Sequence, residues 1–335
     1  MIFVTGGTGL VGAHILLKLS QRGEKIKALK RPLSNTCICR NIFIRNNALE
    51  LFNNIIWVDG DITNIVSLQD GMKDCTYIIH CAGMVSFDPL DKEILRKINI
   101  EGTANVMNIA LSLNMKKVAY VSSVAALGSN PMDDNIVNEE IYSPPTKDAS
   151  YYAYTKYHAE QEVWRGNAEG MDIVIVNPSI ILGPGDWNRG SSKIFQAIYK
   201  GLRFYTEGSF GYVDVIDVAE ALIQLTFSNI KNERFILNAV NIKYRDIFDR
   251  IAKQFNKPLP NIRITPLLQA IIWRLEKVRS FFTRRRPLIT KETCNMGMKN
   301  RAYSSKKIQK RLDFTFTNID FTIKKYCDWY LSDLS

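Results

Sequence analysis

Along the first half of the chain, short apolar runs alternate with stretches whose apolar residues recur every three or four positions. The runs read as buried strands and the periodic stretches as helices with one apolar face. "MIFVTG" opens the series, followed by glycines and by "VGAHILLKLSQRG", a helix closed by Gly23. "KIKALKR", "IIWVDGD", "CTYIIHCAG" and "KKVAYVSS" supply the second to fifth strands. The segment "DKEILRKINIEGTANVMNIALSLN" predicts one long helix between the last two. "MDIVIVNPS" is a further buried strand, after a helix that begins near Tyr151. Strands and helices alternating in this way predict βαβ units and a doubly wound parallel sheet.

The texture changes after Pro178. Glycine and proline crowd "ILGPGDWNRGSS", and "GYVDVIDVAEALIQLTF" reads as a strand running into a helix. The expected division is a first domain over 1–177 and a smaller lobe over 178–335, with some segments of the lobe returning to the first domain. The polar, proline-bearing stretch "GSNPMDDNIVNEEIYSPPTKDAS" suits a loop over a site. "TPLLQAIIWRLEKVRSFFTRRRP" has apolar residues at helical spacing and a basic end. It reads as a helix packed on the lobe. The alternative is peripheral contact of 266–286 with an anionic membrane.

Composition narrows the function. With 335 residues, 46% hydrophobic and 23% charged, the chain has the balance of a folded globular protein. No apolar run approaches the ~18 residues of a membrane span, and no signal-peptide pattern precedes the glycines, so a cytoplasmic protein is expected. Six cysteines without C-x-x-C pairing and three histidines give no metal signature, and the thiols are expected to be reduced. The net charge of +11 is spread along the chain, with one dense cluster at Arg284-Arg285-Arg286. No nucleic-acid partner is expected; a phosphorylated small molecule accounts for part of the excess.

"TGGTGLVG" places Gly6, Gly9 and Gly12 between the first strand and the first helix, where glycines let the backbone approach a pyrophosphate on the helix N-terminus. NAD selectivity usually rests on a carboxylate about 20 residues downstream. This chain has "ALKRP" there, with Lys30 and Arg31. A bidentate cation suits a 2′-phosphate, so NADP(H) is favoured and NAD(H) is the alternative. Asp61, in "DGDIT", is placed to contact adenine or to cap the next helix.

"YYAYTKYHAE" sets Tyr152 and Lys156 four residues apart, one turn apart on a helix face. Bringing a phenol from ~10 to neutrality takes roughly 4 kcal/mol, which a nearby ammonium and a cationic nicotinamide together could supply. Neither Tyr151 nor Tyr154 has a lysine at that spacing. Ser122 and Ser123 end the fifth strand, where such sheets bind their ligands. Trp187 and Arg189, in "GPGDWNRGSS", either meet the substrate or anchor their loop.

With "TGGTGLVG", "GDI", "HCAG", "NIEGTANV", "VSSVAAL", "YAYTK", "NPSIILGPGD" and "VDVIDVAEAL" in order, the chain resembles the extended branch of the short-chain dehydrogenase/reductase superfamily, the NAD-dependent epimerase/dehydratase family, over Met1 to about Asn238. "HCAGMVSF" and "LKRP" look most like its dihydroflavonol-reductase and 3β-hydroxysteroid-dehydrogenase-like members. The resemblance implies a Rossmann-like doubly wound sheet with a smaller C-terminal substrate lobe. It also implies an NADP(H)-dependent oxidoreductase that moves a hydride between nicotinamide and a secondary alcohol or ketone. Ser123 matches the catalytic serine, Tyr152 the acid/base and Lys156 the ribose-binding lysine. Thr5, Gly6, Gly9, Leu10, Val11, Gly12, Asp61, Ile62, Ala82, Gly83, Pro178 and Ser179 would line the cofactor, and Arg31 would meet its 2′-phosphate. Asn99 matches a largely structural asparagine. Val124 departs from the family's pattern and alters the pocket wall. A nucleotide-sugar epimerase or dehydratase with retained NAD, and a non-catalytic cofactor sensor, are the alternatives. Homodimers are common in the family.

Overall fold

In the computed structural model, which describes residues 1–128, 136–141, 143–146, 148–283 and 291–334, seven strands form one parallel sheet. They are β1 (Ile2–Thr5), β2 (Ile26–Lys30), β3 (Ile56–Asp59), β4 (Tyr77–His80), β5 (Lys117–Val121), β6 (Ile173–Pro178) and β7 (Glu233–Leu237). Their order is β7-β6-β5-β4-β1-β2-β3. The chain winds from β1 out to β3, then crosses back to lay β4 on the other side of β1. The winding therefore reverses between β1 and β4, and ligands bind such sheets at the strand carboxyl ends beside that reversal. Register sets Thr5 opposite His80 there.

Both faces are covered, so the inner strands are largely buried rather than alternating, while edge strand β3 is half exposed. β6 is buried at every position. The Leu10–Gln21 and Val215–Phe227 helices pack Ile15, Leu16, Leu19, Val218 and Leu222 on one face. The Gly102–Ser112 and Tyr151–Ala168 helices pack Val106, Met107, Ala159 and Val163 on the other. β7 and the helix before it come from beyond residue 178. Lys117, buried within β5, fastens that helix: its ammonium donates to the carbonyls of Leu225 (3.2 Å), Ser228 (2.7 Å) and Ile230 (2.9 Å). A cation at a helix C-terminus meets the negative end of the dipole.

The later chain builds a second sheet. Ser209–Asp214 lies between Ile180–Leu182, parallel, and Val240–Lys243, antiparallel. The Tyr244–Gln254 and Ile319–Ser332 helices close it over Phe195, Phe210, Tyr212, Ile247 and Tyr326.

The long helix expected before β5 is not uniform. Lys92–Leu95 is α-helical, Arg96–Glu101 widens into a π turn, and Gly102–Ser112 resumes the α-helix. Such turns recur at functional sites, and here one carries Asn99. The polar loop is described only in part, and Arg284–Arg286 lie outside the described residues. Among the described residues no helix is long and apolar enough to cross a membrane.

Candidate functional site

The glycine loop is shaped by contacts that admit no side chain. A Cβ on Gly12 would sit 2.2 Å from the Gly6 carbonyl oxygen, and one on Gly6, whose φ is +74°, would sit 2.6 Å from the Ala82 nitrogen. Gly9 is exposed and starts the helix without a side-chain cap. The first-turn amides of a helix have no intrahelical partner, and beside half-buried Leu10 and Val11 they offer a pyrophosphate both donors and dipole.

The floor under the loop is polar and fully partnered. The Ala82 amide donates to Thr5 Oγ1 (3.2 Å), which lies 2.6 Å from His80 Nδ1. His80 Nε2 lies 3.1 Å from Thr103 Oγ1, whose own proton goes to the Asn99 carbonyl (2.6 Å). Thr103 must therefore accept from Nε2–H, which leaves Nδ1 to accept from Thr5. Burial, helped by the Lys156 charge, pushes His80 down to about 3, so the ring is neutral. Asn99 Oδ1 accepts from the Met84 amide (2.8 Å), while its Nδ2 donates to the Met84 carbonyl and to Thr155 Oγ1, both at 3.0 Å. This pins the segment after β4, which carries half-buried Ala82 and exposed Gly83.

At the β2 end the two cations differ. Lys30 is ion-paired with Asp59. Arg31 is exposed and, among the described residues, has no ion pair. It lines a cleft of about 660 Å³ with Thr8, Ser34, Asn35, Trp187 and Arg189. Asp61 Oδ1 accepts from the Thr63 amide (2.9 Å) and hydroxyl (2.8 Å). The next helix is capped by Asn64, which accepts from the Ser67 amide at 3.1 Å, and not by Asp61. Ile62 is buried, and its side chain fills the space beside Gly102. Trp187 anchors the chain terminus: its Nε1 donates to Asp333 (2.8 Å) and its ring meets Phe195 and Tyr330 edge-on. Arg189 pairs loosely with Asp186, at 3.5 Å.

At the β5 end, Ser123 follows the strand, and its Oγ accepts from the Ala125 amide (3.1 Å). Ser150 caps the Tyr151–Ala168 helix, setting Tyr152 in its first turn. The Ser123 side chain is near enough to the Tyr152 phenol to hold its pKa down against burial. Phe87 packs edge-on against the Tyr152 ring, centroids 5.8 Å apart. Lys156 donates to the Tyr120 hydroxyl (2.6 Å) and the Val121 carbonyl (3.0 Å). Burial draws its ammonium down to about 7, against the pull of the Glu160 carboxylate one turn on.

The phenol differs from expectation. Burial raises Tyr152 above its ordinary value, and the Ser123 side chain opposes this. Two of the Lys156 donors turn down onto β5. Pro178 ends β6, and Ser179 donates from its amide (3.0 Å) and its hydroxyl (3.3 Å) to the Leu237 carbonyl.

Sequence reasoning missed the groups behind these residues. Glu160, buried, accepts from the Ser122 hydroxyl (2.6 Å), the Asn177 amide (2.8 Å) and Arg234 (3.2 Å). Asn177 also donates to the Ser123 carbonyl (3.1 Å). Arg234 in turn donates to the Glu139 carbonyl (2.8 Å). One carboxylate thus ties β5, β6, β7 and the loop above them to the helix that carries Tyr152. The available signals were its i+4 spacing from Lys156 and an arginine inside the apolar run "ERFIL". Among the described residues no cluster of His, Cys, Asp or Glu could hold a metal ion.

The profile of the NAD dependent epimerase/dehydratase family matches residues 2–236. The chain is 30% identical to a protein of Synechocystis sp. provisionally named a dihydroflavonol 4-reductase, over 98% of this chain and 94% of that one. It is 27% identical to cinnamoyl-CoA reductase 1 of Petunia hybrida, over 78% and 79% of the two chains. The crystal structure of gox2253 superposes with a TM-score of 0.79 at 28% identity, covering 99% of this chain and 98% of that one. A UDP-glucose 4-epimerase of Thermus thermophilus, solved with NAD, shares the fold: TM-score 0.73, 20% identity, coverage 98% and 97%.

Proposed function

The chain belongs to the NAD dependent epimerase/dehydratase family, and from that premise we propose that it is an NADP(H)-dependent reductase of a ketone, reversibly forming a secondary alcohol. The observation that carries this reading is the convergence of Ser123, Tyr152 and Lys156, one turn further along the helix, at the carboxyl end of β5. The dinucleotide fits the residues present: a glycine cradle with no room for side chains, a helix N-terminus for the pyrophosphate, and exposed Arg31, which has no ion pair among the described residues, for a 2′-phosphate. When bound, NADPH supplies the hydride.

The chain's own groups then handle the oxygen. Ser123 orients the carbonyl oxygen and donates to it as negative charge develops. Tyr152 gives its phenolic proton to that oxygen, completing the alcohol. A phenol raised by burial stays protonated at neutral pH, which suits a proton donor. Lys156 keeps one donor free to hold the ribose. Glu160 sustains the Lys156 charge.

A panel of ketones with NADPH tests the reading. Tyr152→Phe should bind NADPH as the parent does and lose about 10²- to 10⁴-fold in kcat. Full turnover in that variant would remove Tyr152 from the mechanism. The epimerase or dehydratase reading uses the same Ser123, Tyr152 and Lys156 and differs in retaining its cofactor. Pyridine nucleotide released by denaturation at one per chain would favour it.

A further inference from the structure

The Pro266–Thr283 helix faces the wrong way for a helix that meets only water. Leu267, Ile271 and Leu275 stand on successive turns of one stripe and are 74%, 45% and 64% exposed. The opposite, part-buried side holds polar residues beside Trp273. Gln269 is half-buried and donates to Asn295 (2.8 Å), and the Glu276 side chain, 13% exposed, is paired with Arg279. A surface helix normally buries its apolar stripe and solvates its polar one. Further exposed apolar residues, Phe204, Leu259 and Ile262, lie on and beside the short strand pair that leads into the helix.

Charge decides what covers this stripe. Arg274, exposed, lies within it, and Lys200, Arg203 and Arg263 are exposed along the neighbouring strand pair. The acidic groups nearby are already engaged: Glu207 with Arg263 and Glu276 with Arg279. Over 266–286 the sequence holds six Lys or Arg against one Glu, ending in Arg284-Arg285-Arg286. A second copy would bring one cationic border against another. An anionic bilayer surface instead complements both features, receiving the leucines among its acyl chains and the cations at its headgroups.

We propose that the outward stripe Leu267–Ile271–Leu275, with its cationic border, docks the protein peripherally on anionic lipid. The inference does not depend on the reading of the Tyr152 site, because its test measures no turnover.

The full chain would be sedimented with vesicles of phosphatidylcholine alone and of phosphatidylcholine mixed with phosphatidylglycerol. The protein should pellet with the mixed vesicles, stay in solution with the neutral ones, and be released by high salt. The double variant Ile271→Ser/Leu275→Ser, whose side chains are exposed and whose folding a thermal melt verifies, should partition about tenfold less. Protein left in solution with the anionic vesicles would overturn the proposal, as would equal binding by the double variant. A lipid-free dimer that the same variant dissolves would also overturn it, assigning the stripe to a second copy.

Discussion

The two ends of the crevice are held in opposite ways. Around Ser123 and Tyr152, Glu160 holds Asn177 and Arg234, Tyr120 holds Lys156, and Asn99 holds Thr155, so five segments of the chain converge there. At Arg31 the guanidinium stands exposed in a cleft with no ion pair among the described residues. Preorganised donors accelerate a reaction because nothing must reorient as charge develops. A selectivity contact needs only a cation free to meet its anion. Under the proposed function, chemistry belongs to the closed end and nucleotide choice to the open one, and each assignment can be broken separately.

The largest effect is expected at the closed end. Glu160→Gln breaks the buried pair that Glu160 makes with Arg234 at 3.2 Å, which should cost about 3–5 kcal/mol of stability in chemical denaturation. If Glu160 also positions the site, the variant's loss of activity with rising pH should begin at lower pH, because Lys156, already near 7, loses the carboxylate that holds it up. A stability loss with an unchanged pH–rate profile would reduce Glu160 to scaffolding.

Acid should loosen the same floor. Burial lowers His80 from 6.5 to about 3 and His14 from 6.5 to about 4. Both rings stay neutral when folded yet take up protons when unfolded, so their contribution is present above pH 6.5 and is lost as pH falls toward 4 and 3. At pH 5 the pair should cost about 4 kcal/mol relative to pH 8. A flat denaturation midpoint between those two values would show that the rings are solvated.

The open end should respond least in stability and only toward one nucleotide. Arg31→Ala should weaken NADPH about 10- to 100-fold, the worth of one charge-assisted contact. NADH affinity and the melting temperature should stay unchanged. A drop in melting temperature would mean that Arg31 is structural and that the contrast between the ends is false.

The comparison also marks what could be read in the sequence. The glycine cradle, Arg31 and the Tyr152–Lys156 spacing each sit within one short segment, where turn geometry and helical periodicity are local. The end of β5 offered both Ser122 and Ser123, and only the family resemblance singled out Ser123. Glu160 was on the same helix, yet its partners Ser122, Asn177 and Arg234 lie 38, 17 and 74 residues away, and periodicity carries no such pairing. The π turn at Asn99 was hidden because one residue added to a turn barely disturbs an apolar stripe. The Trp187–Asp333 contact spans 146 residues. The phenol's upward shift comes from burial, which spacing along a helix does not specify.

The most direct measurement is a fluorescence titration of the parent protein with NADPH and with NADH under the same buffer and salt. NADPH should bind at least about tenfold more tightly, one free cation's worth of 2′-phosphate recognition. Equal affinities would contradict the assignment of nucleotide choice to Arg31, and with it the division of labour between the two ends.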